Sequence, residues 1–138
     1  MIDANNYIVK ISKSTCANQV FWKRVYYAKI RRNWISGSKL VFLTKMRESE
    51  DVFIGLGKIK TSYDVSVLAP DERKICIQNN LDSKIAFDIM ARFLPAVLTR
   101  DVKFISINRM KGPSLDGAYL SDSEISSIEG LAKMVIII

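Results

Sequence analysis

Lys39-Leu40-Val41-Phe42-Leu43-Thr44-Lys45 and Val52-Phe53-Ile54-Gly55-Leu56-Gly57-Lys58-Ile59-Lys60 are two runs rich in strand-forming residues, separated by the polar segment Arg47-Glu48-Ser49-Glu50-Asp51. Apolar β-formers joined by a short polar connection predict an antiparallel hairpin. Ser36-Gly37-Ser38 supplies the turn that leads into it. In the second run, strict alternation sends Val52, Ile54 and Leu56 to one face and Phe53, Gly55, Gly57 and Ile59 to the other. Two glycines on one face leave a strip without side chains. Glycine weakens a strand, so the strip implies either a barrel corner or the close approach of another backbone or a ligand.

Outward from the hairpin, Tyr7-Ile8-Val9-Lys10-Ile11 reads as an opening strand, and Ser14-Thr15 can cap a short helix running toward Phe21. Residues 22–32 fit a longer helix by spacing and a strand by the composition of Val25-Tyr26-Tyr27; helix followed by strand is preferred. Tyr63 to Val67 prolongs the sheet, and Pro70-Asp71-Glu72 opens a helix with acids near its positive end. Asp82 or Ser83 caps a predicted helix whose apolar residues Ile85, Ile89, Phe93 and Val97 recur at spacing four, with Pro95 ending or kinking it. Val102 to Ile107 is a strand, and Arg109 to Ala118 is a loop with three breakers. Ser121-Asp122-Ser123-Glu124 is a capping box for a helix ending at Gly130. Met134 to Ile138 closes the chain as an apolar strand that must be covered by the sheet or by a second subunit. Lacking βαβ alternation with a phosphate-binding glycine loop, the pattern predicts one α+β domain over residues 1–138, with a small curled sheet or partial barrel.

Charge is unevenly placed. The chain carries a formal +7, yet residues 1–47 hold ten Lys and Arg against Asp3 alone, while the remainder holds eleven against thirteen acids. A basic region on a nearly neutral remainder is the electrostatic footprint of a polyanion partner. Its densest part, Trp22 to Trp34, interleaves the cations Lys23, Arg24, Lys29, Arg31 and Arg32 with Trp22, Tyr26, Tyr27 and Trp34. Cations neutralise phosphate and aromatic faces stack on bases, so the stretch suits single-stranded nucleic acid, with Trp34 or Tyr27 as the stacking ring. The bland alternative is a solvated basic face beside ordinary core aromatics.

The chain has no histidine. That excludes imidazole-activated nucleophiles, histidine-ligated zinc and a histidine general base. Cys16 and Cys76 are too few for a thiolate metal site and read as small buried thiols. Glu48, Glu50 and Asp51 form a carboxylate cluster that reads as a solvated turn. No catalytic residue, cofactor or metal is expected, which favours a binding module. Without a membrane-length apolar run or a signal-peptide pattern, a cytoplasmic location and no membrane partner are expected.

At Ser36-Gly37-Ser38-Lys39-Leu40-Val41-Phe42-Leu43 and Phe53-Ile54-Gly55-Leu56-Gly57-Lys58-Ile59 the chain resembles the PUA-like superfamily, which includes PUA, ASCH and EVE domains. Relatives there carry a glycine turn before one apolar strand and glycines in the next, and Gly112 to Leu131 is similar in placement to the end of EVE-type domains. The resemblance implies a pseudo-β-barrel of about five to six mostly antiparallel strands with flanking helices, and a cleft that accepts RNA or a modified base. On this chain the cleft would involve Trp34, Phe42, Thr44, Lys45, Arg47 and Lys58, with Gly55 and Gly57 in its wall and Lys23, Arg24, Lys29, Arg31 and Arg32 as phosphate contacts. Some ASCH relatives are amidohydrolases with a Gly-x-Lys-x-x-Thr motif. Gly37-Ser38-Lys39 begins that pattern, but Phe42 stands at the threonine position, and Thr44 faces opposite to Lys39 by strand alternation. An RNA or modified-nucleotide binding module is thus the leading expectation. A hydrolase of modified nucleosides in the same cleft and a homodimer assembled through the C-terminal strand are the alternatives.

Overall fold

The computed structural model describes residues 6–11, 20–29, 32, 34–46, 50–102 and 118–137. Its strands are β1 (Asn6–Ile11), β2 (Val25–Ala28), β3 (Lys39–Met46), β4 (Glu50–Asp64), β5 (Ser83–Leu98), β6 (Tyr119–Leu120) and β7 (Met134–Ile137). The described residues also hold two helices, α1 (Pro70–Gln78) and α2 (Asp122–Leu131), short 3-10 turns at Val65–Val67 and Thr99–Asp101, and a helical turn at 20–23. The sheet runs β2-β5-β4-β3-β1-β6, with β7 also paired to β5. Every pair is antiparallel except β1 with β3, which places Tyr7 opposite Leu40 and Ile11 opposite Thr44. The α+β class and mostly antiparallel sheet are as expected. The described residues hold seven strands where about five to six were expected, and no pairing among them closes β2 onto β6.

The hairpin forms as β3–β4, with one departure. Leu43 pairs with Phe53 and Phe42 with Gly55, so Ile54 is an extra residue. A bulge restarts the alternation. Phe53 therefore joins Leu56, Val41 and Leu43 on one face, and not Gly55, Gly57 and Ile59 on the other. The first face packs on α2 through Ile125 and Ile128; the second holds a separate cluster containing Phe21, Trp34, Phe42, Phe87 and Met90. Asn6 ties the layers together: its Nδ2 donates to Asp122 Oδ1 at 2.8 Å, and its Oδ1 accepts from the Lys39 backbone N–H at 2.9 Å.

The predicted helix from Ser83 is instead β5, the sixteen-residue strand beside β4. A spacing of four sits near the helical period and is also a multiple of two, so Ile85, Ile89, Phe93 and Val97 could not separate the two states. Pairing with β2, β4 and β7 decides it. The burial pattern follows the sheet: Phe87, Met90 and Ala91 are interior, whereas Ile89, central to the helical reading, is 43% exposed. Gly55 pairs with Arg92 and Phe53 with Val97, so 93–96 bow out opposite Ile54. Pro95, which lacks an N–H, sits in that bow behind a cis bond to Leu94.

Elsewhere the local signals hold. Residues 20–23 are helical and β2 follows, the preferred order. Pro70 opens α1, with Asp71 and Glu72 in its first turn. Both arms of the capping box are made: Ser121 Oγ accepts from Glu124 N at 3.2 Å, and Ser121 N donates to Glu124 Oε1 at 2.9 Å. One signal holds only in part: the sheet extends to Asp64, but Val65–Val67, expected to prolong it, form a 3-10 turn capped by the Asp64 carboxylate, which accepts from Ser66 N. β7 finds its partner within the chain, in β5, while Met134, Val135 and Ile136 remain exposed. The Ser14-Thr15 cap, Cys16, the strand predicted beyond Val102 and the loop before Ala118 lie outside the described residues.

Candidate nucleic-acid interface

The basic and aromatic stretch is divided by one backbone reversal. Arg24 adopts φ 56°, and its N–H donates to the Val20 carbonyl at 2.8 Å, closing the helical turn before β2 starts. A left-handed residue with a Cβ is uncommon and costs about 1–2 kcal/mol. The reversal turns Phe21 inward and leaves Trp22 88% exposed, with Lys23 and, past the end of β2, Lys29 also exposed.

Phe21 explains the glycine strip. A Cβ on Gly55 would strike the Ala91 carbonyl oxygen and the Phe21 ring, and one on Gly57 would lie 2.6 Å from Phe87 Cδ1 and 2.8 Å from Met90 Sδ. The rings of Phe21 and Phe87 meet Phe42 edge-on at 5.6 and 5.5 Å, with Tyr26 6.3 Å from Phe42. Edge-to-face contacts of this kind add about 0.5–1.5 kcal/mol beyond area burial. The Arg92 guanidinium stands 5.4 Å from the Phe21 ring centre. The strip expected to bend a barrel or admit a ligand is thus occupied by the chain's own rings, and Phe42, Gly55 and Gly57 are interior. Thr44 is buried too, its Oγ1 donating to the Ile11 carbonyl at 3.0 Å.

Tyr26 and Tyr27 point to opposite faces of β2. Tyr27 Oη donates to Glu72 Oε2 at 2.5 Å, and Lys84 Nζ reaches the same oxygen at 2.8 Å, fastening α1 to the sheet. Burial, followed by the Glu72 carboxylate, raises the Tyr27 phenol well above its ordinary value. Hydrogen bonds from Lys84 and then Tyr27 hold Glu72 below the usual carboxylate range, while burial raises the nearby Cys76 thiol. With its hydroxyl committed to α1, Tyr27 is a fastening residue in this arrangement.

Trp34, the other ring expected to stack a base, is 7% exposed. It meets Tyr7 edge-on at 5.7 Å, Tyr7 meets the exposed Tyr119 at 6.2 Å, and Arg32 lies 4.2 Å over the Tyr7 ring. The hairpin cations fall elsewhere. β3 alternates regularly, so Lys39 and Lys45 share the parity of Val41 and Leu43, and Lys58 that of Leu56; Lys39 and Lys58 are direct partners. Lys39 Nζ bonds Glu129 Oε1 of α2 at 2.9 Å, across the sheet from Thr44. Lys45 and Lys58 are therefore on the face opposite Phe42 and the glycines, and Lys39 cannot meet Thr44. Arg31 and Arg47 lie outside the described residues.

The contribution of Trp22, Phe21 and Arg92 was not legible in the sequence. Trp22 stood out only as part of the stretch, because its exposure depends on the Arg24 reversal. Among the described residues no group of three or more His, Cys, Asp or Glu is placed to hold a metal, and no helix is long and apolar enough to cross a membrane.

No protein-family model and no curated protein matches this sequence. Solved structures do match in shape. The ASCH protein of Zymomonas mobilis superposes with TM-score 0.65 at 11% identity, covering 95% of this chain and 98% of that one. Its serine-to-alanine variant gives TM-score 0.65 at 10% identity over 96% and 100% of the two chains. The YTH domain of Zygosaccharomyces rouxii MRB1, solved with N6-methyladenosine RNA, gives TM-score 0.57 at 16% identity over 95% and 85%. The fold is PUA-like. In this fold the glycine-bearing strand is β4, and the aromatic cluster lies between it, β5 and the helical turn before β2.

Proposed function

We propose that this PUA-like domain binds nucleic acid, with single-stranded RNA or a modified nucleotide within it as target, at the β2 end of the sheet. Trp22 carries the reading. Its indole is 88% exposed at the tip of a turn whose neighbouring Phe21 is fully committed to the core, and Lys23 and Lys29 are exposed along the same segment. An indole held in water beside lysines offers a base a stacking face and its phosphates two counter-charges. The seating of Phe21 on Gly55 fixes the turn that presents the ring, so this stacking surface is built in advance. The RNA complex of the YTH neighbour supports the same class of partner for this fold. In this reading Trp34 and Tyr27 give up the stacking role to Trp22, Arg31 remains a candidate phosphate contact and Arg47 a candidate cleft residue. Phe42, Gly55 and Gly57 support the turn from within.

The test is fluorescence anisotropy of labelled single-stranded RNA, single-stranded DNA and duplex at two salt concentrations. Trp22→Ala should weaken single-strand binding roughly five- to a hundredfold, as loss of one stacked base implies, with no change in thermal stability. Lys23→Glu with Lys29→Glu should lower the salt slope by about 1.4 if each contacts one phosphate. Binding that is indifferent to salt and to Trp22 would defeat the proposal.

A further inference from the structure

After Trp22, the most exposed aromatic ring among the described residues is that of Tyr119, at 58%. Its backbone is fixed on both sides. The Ala118 carbonyl accepts from Ile8 N at 2.9 Å, Leu120 is buried in the cluster beneath α2, and Ser121 caps that helix. Tyr119 is the direct cross-strand partner of Tyr7, and the two rings meet edge-on at 6.2 Å. Tyr7 is itself held by Trp34, edge-on at 5.7 Å, and by the Arg32 guanidinium, 4.2 Å over its face. A ring in water on a fixed backbone and against a braced neighbour has little freedom left to lose when a ligand stacks on it.

Trp22 and Tyr119 stand at two margins of one aromatic cluster. Phe21, the chain neighbour of Trp22, belongs to that cluster, and Tyr7, the partner of Tyr119, packs against it on the same face of the sheet. One register row joins the two margins, from Tyr119 through Tyr7, Leu40 and Gly57 to Met90 on β5, whose outer edge also receives the turn through Phe87 N and the Arg24 carbonyl. At about 4.8 Å per strand step the row and the turn beside it span roughly 24 Å, the length of about seven stacked nucleotides. Charge favours the same face. Between the two rings the sequence runs Ala28-Lys29-Ile30-Arg31-Arg32-Asn33-Trp34, three cations and no acid. The acids that fasten the helices bond residues of the opposite face: Glu72 takes Tyr27 and Lys84, Asp122 takes Asn6, and Glu129 takes Lys39.

We infer that Tyr119, braced by Tyr7 and flanked by Arg32, is a second base-stacking platform, so that one single strand of about seven nucleotides or more engages Trp22 and Tyr119 together. The platform rests on the nucleic-acid reading and adds to it a second point of contact and a minimum strand length. Every base has a π-face, so two platforms joined by cations hold a strand with little regard to its sequence. Once one ring is engaged, the second contact is intramolecular and gains from a high effective concentration.

The experiment measures anisotropy of labelled uridine oligonucleotides, a decamer and a trimer, with the full chain. Tyr119→Ala should weaken decamer binding roughly five- to a hundredfold, whereas Tyr119→Phe, which keeps the ring, should bind like wild type. The trimer cannot bridge the two rings and should lose far less to Tyr119→Ala. A second readout uses the two tryptophans of the chain. In Trp22→Phe only Trp34 emits, packed against Tyr7, so decamer binding should change its emission, and adding Tyr119→Ala should abolish the change. A Tm fall of about 1–3 °C in Tyr119→Ala with decamer binding unchanged is what a purely structural edge pair gives, and it overturns the platform. Decamer binding that depends on Trp22 and not on Tyr119 removes the platform and leaves the nucleic-acid reading standing. Binding that depends on Tyr119 and not on Trp22 supports the platform and defeats the Trp22 surface, and no binding of either oligonucleotide removes both.

Discussion

Gly55→Ala and Gly57→Ala add the same methyl group to the same face of β4, two residues apart, and should differ sharply. At Gly57 the three atoms nearest the new Cβ belong to side chains, the Phe87 ring and the thioether of Met90, so the Phe87 ring must shift and the flexible thioether can give way without opening the ladder. At Gly55 it meets the Ala91 carbonyl oxygen, part of the β4–β5 ladder, and the tip of the Phe21 ring. The carbonyl cannot retreat without opening the ladder, so Phe21 must leave its seat. Overpacking a close-packed core costs about 1–3 kcal/mol, and replacing glycine returns about 0.4–1 kcal/mol through the unfolded chain. Gly57→Ala should therefore destabilise by about 0.5–1 kcal/mol and Gly55→Ala by about 2–3 kcal/mol. For 138 residues the unfolding entropy is about 0.29 kcal/mol/K, which converts these into Tm falls of about 2–3 °C and 7–10 °C. Urea and thermal unfolding measure both. Gly55→Ala should also weaken single-strand binding, since the displaced Phe21 carries Trp22 with it, whereas Gly57→Ala should leave binding intact. Equal stabilities, or Gly57→Ala as the worse variant, would refute the assignment of the glycine strip to ring packing.

Two further outcomes follow from the polar contacts. Glu72 is held below the ordinary carboxylate value of 4.5 by Lys84 and Tyr27, so its contribution is complete above about pH 4.5 and is lost as pH falls through the depressed folded value. Glu72→Gln should be less stable than wild type at neutral pH, and the gap should close in acid; parallel Tm curves from neutral pH into acid would show that the Tyr27–Glu72–Lys84 contact does not stabilise the fold. Ser121→Ala removes one arm of the capping box on α2 and should lower stability by about 1 kcal/mol in urea unfolding, with an unchanged transition midpoint as the contrary result.

Much of the architecture was legible because it is locally encoded. The β3–β4 hairpin follows from two β-rich runs and a polar connection, α1 from Pro70 with Asp71 and Glu72, and α2 from a serine and a glutamate three residues apart. These signals act within a turn or a strand pair, where residue type and spacing set the outcome. β5 was misread because its apolar spacing satisfies both periods, and only the three strands that hydrogen-bond to it separate them. The same limit governs the candidate site. Composition alone located the basic and aromatic stretch, but which rings in it meet solvent depends on contacts remote in sequence. Arg24 turns left-handed and its carbonyl accepts from Phe87; Phe21 then lies on Gly55, thirty-four positions later, and Trp22 is left in water. Trp34 goes inward because Tyr7, from the first strand, packs against it. The sequence by itself determined the charge asymmetry, the hairpin, the helix starts and the exclusion of histidine chemistry, all properties of composition or of neighbours a few residues apart. Tertiary structure alone decided the identity of β5, the bulge at Ile54 and the exposure of each aromatic, because burial is settled by partners that the chain brings together only when the whole sheet has formed.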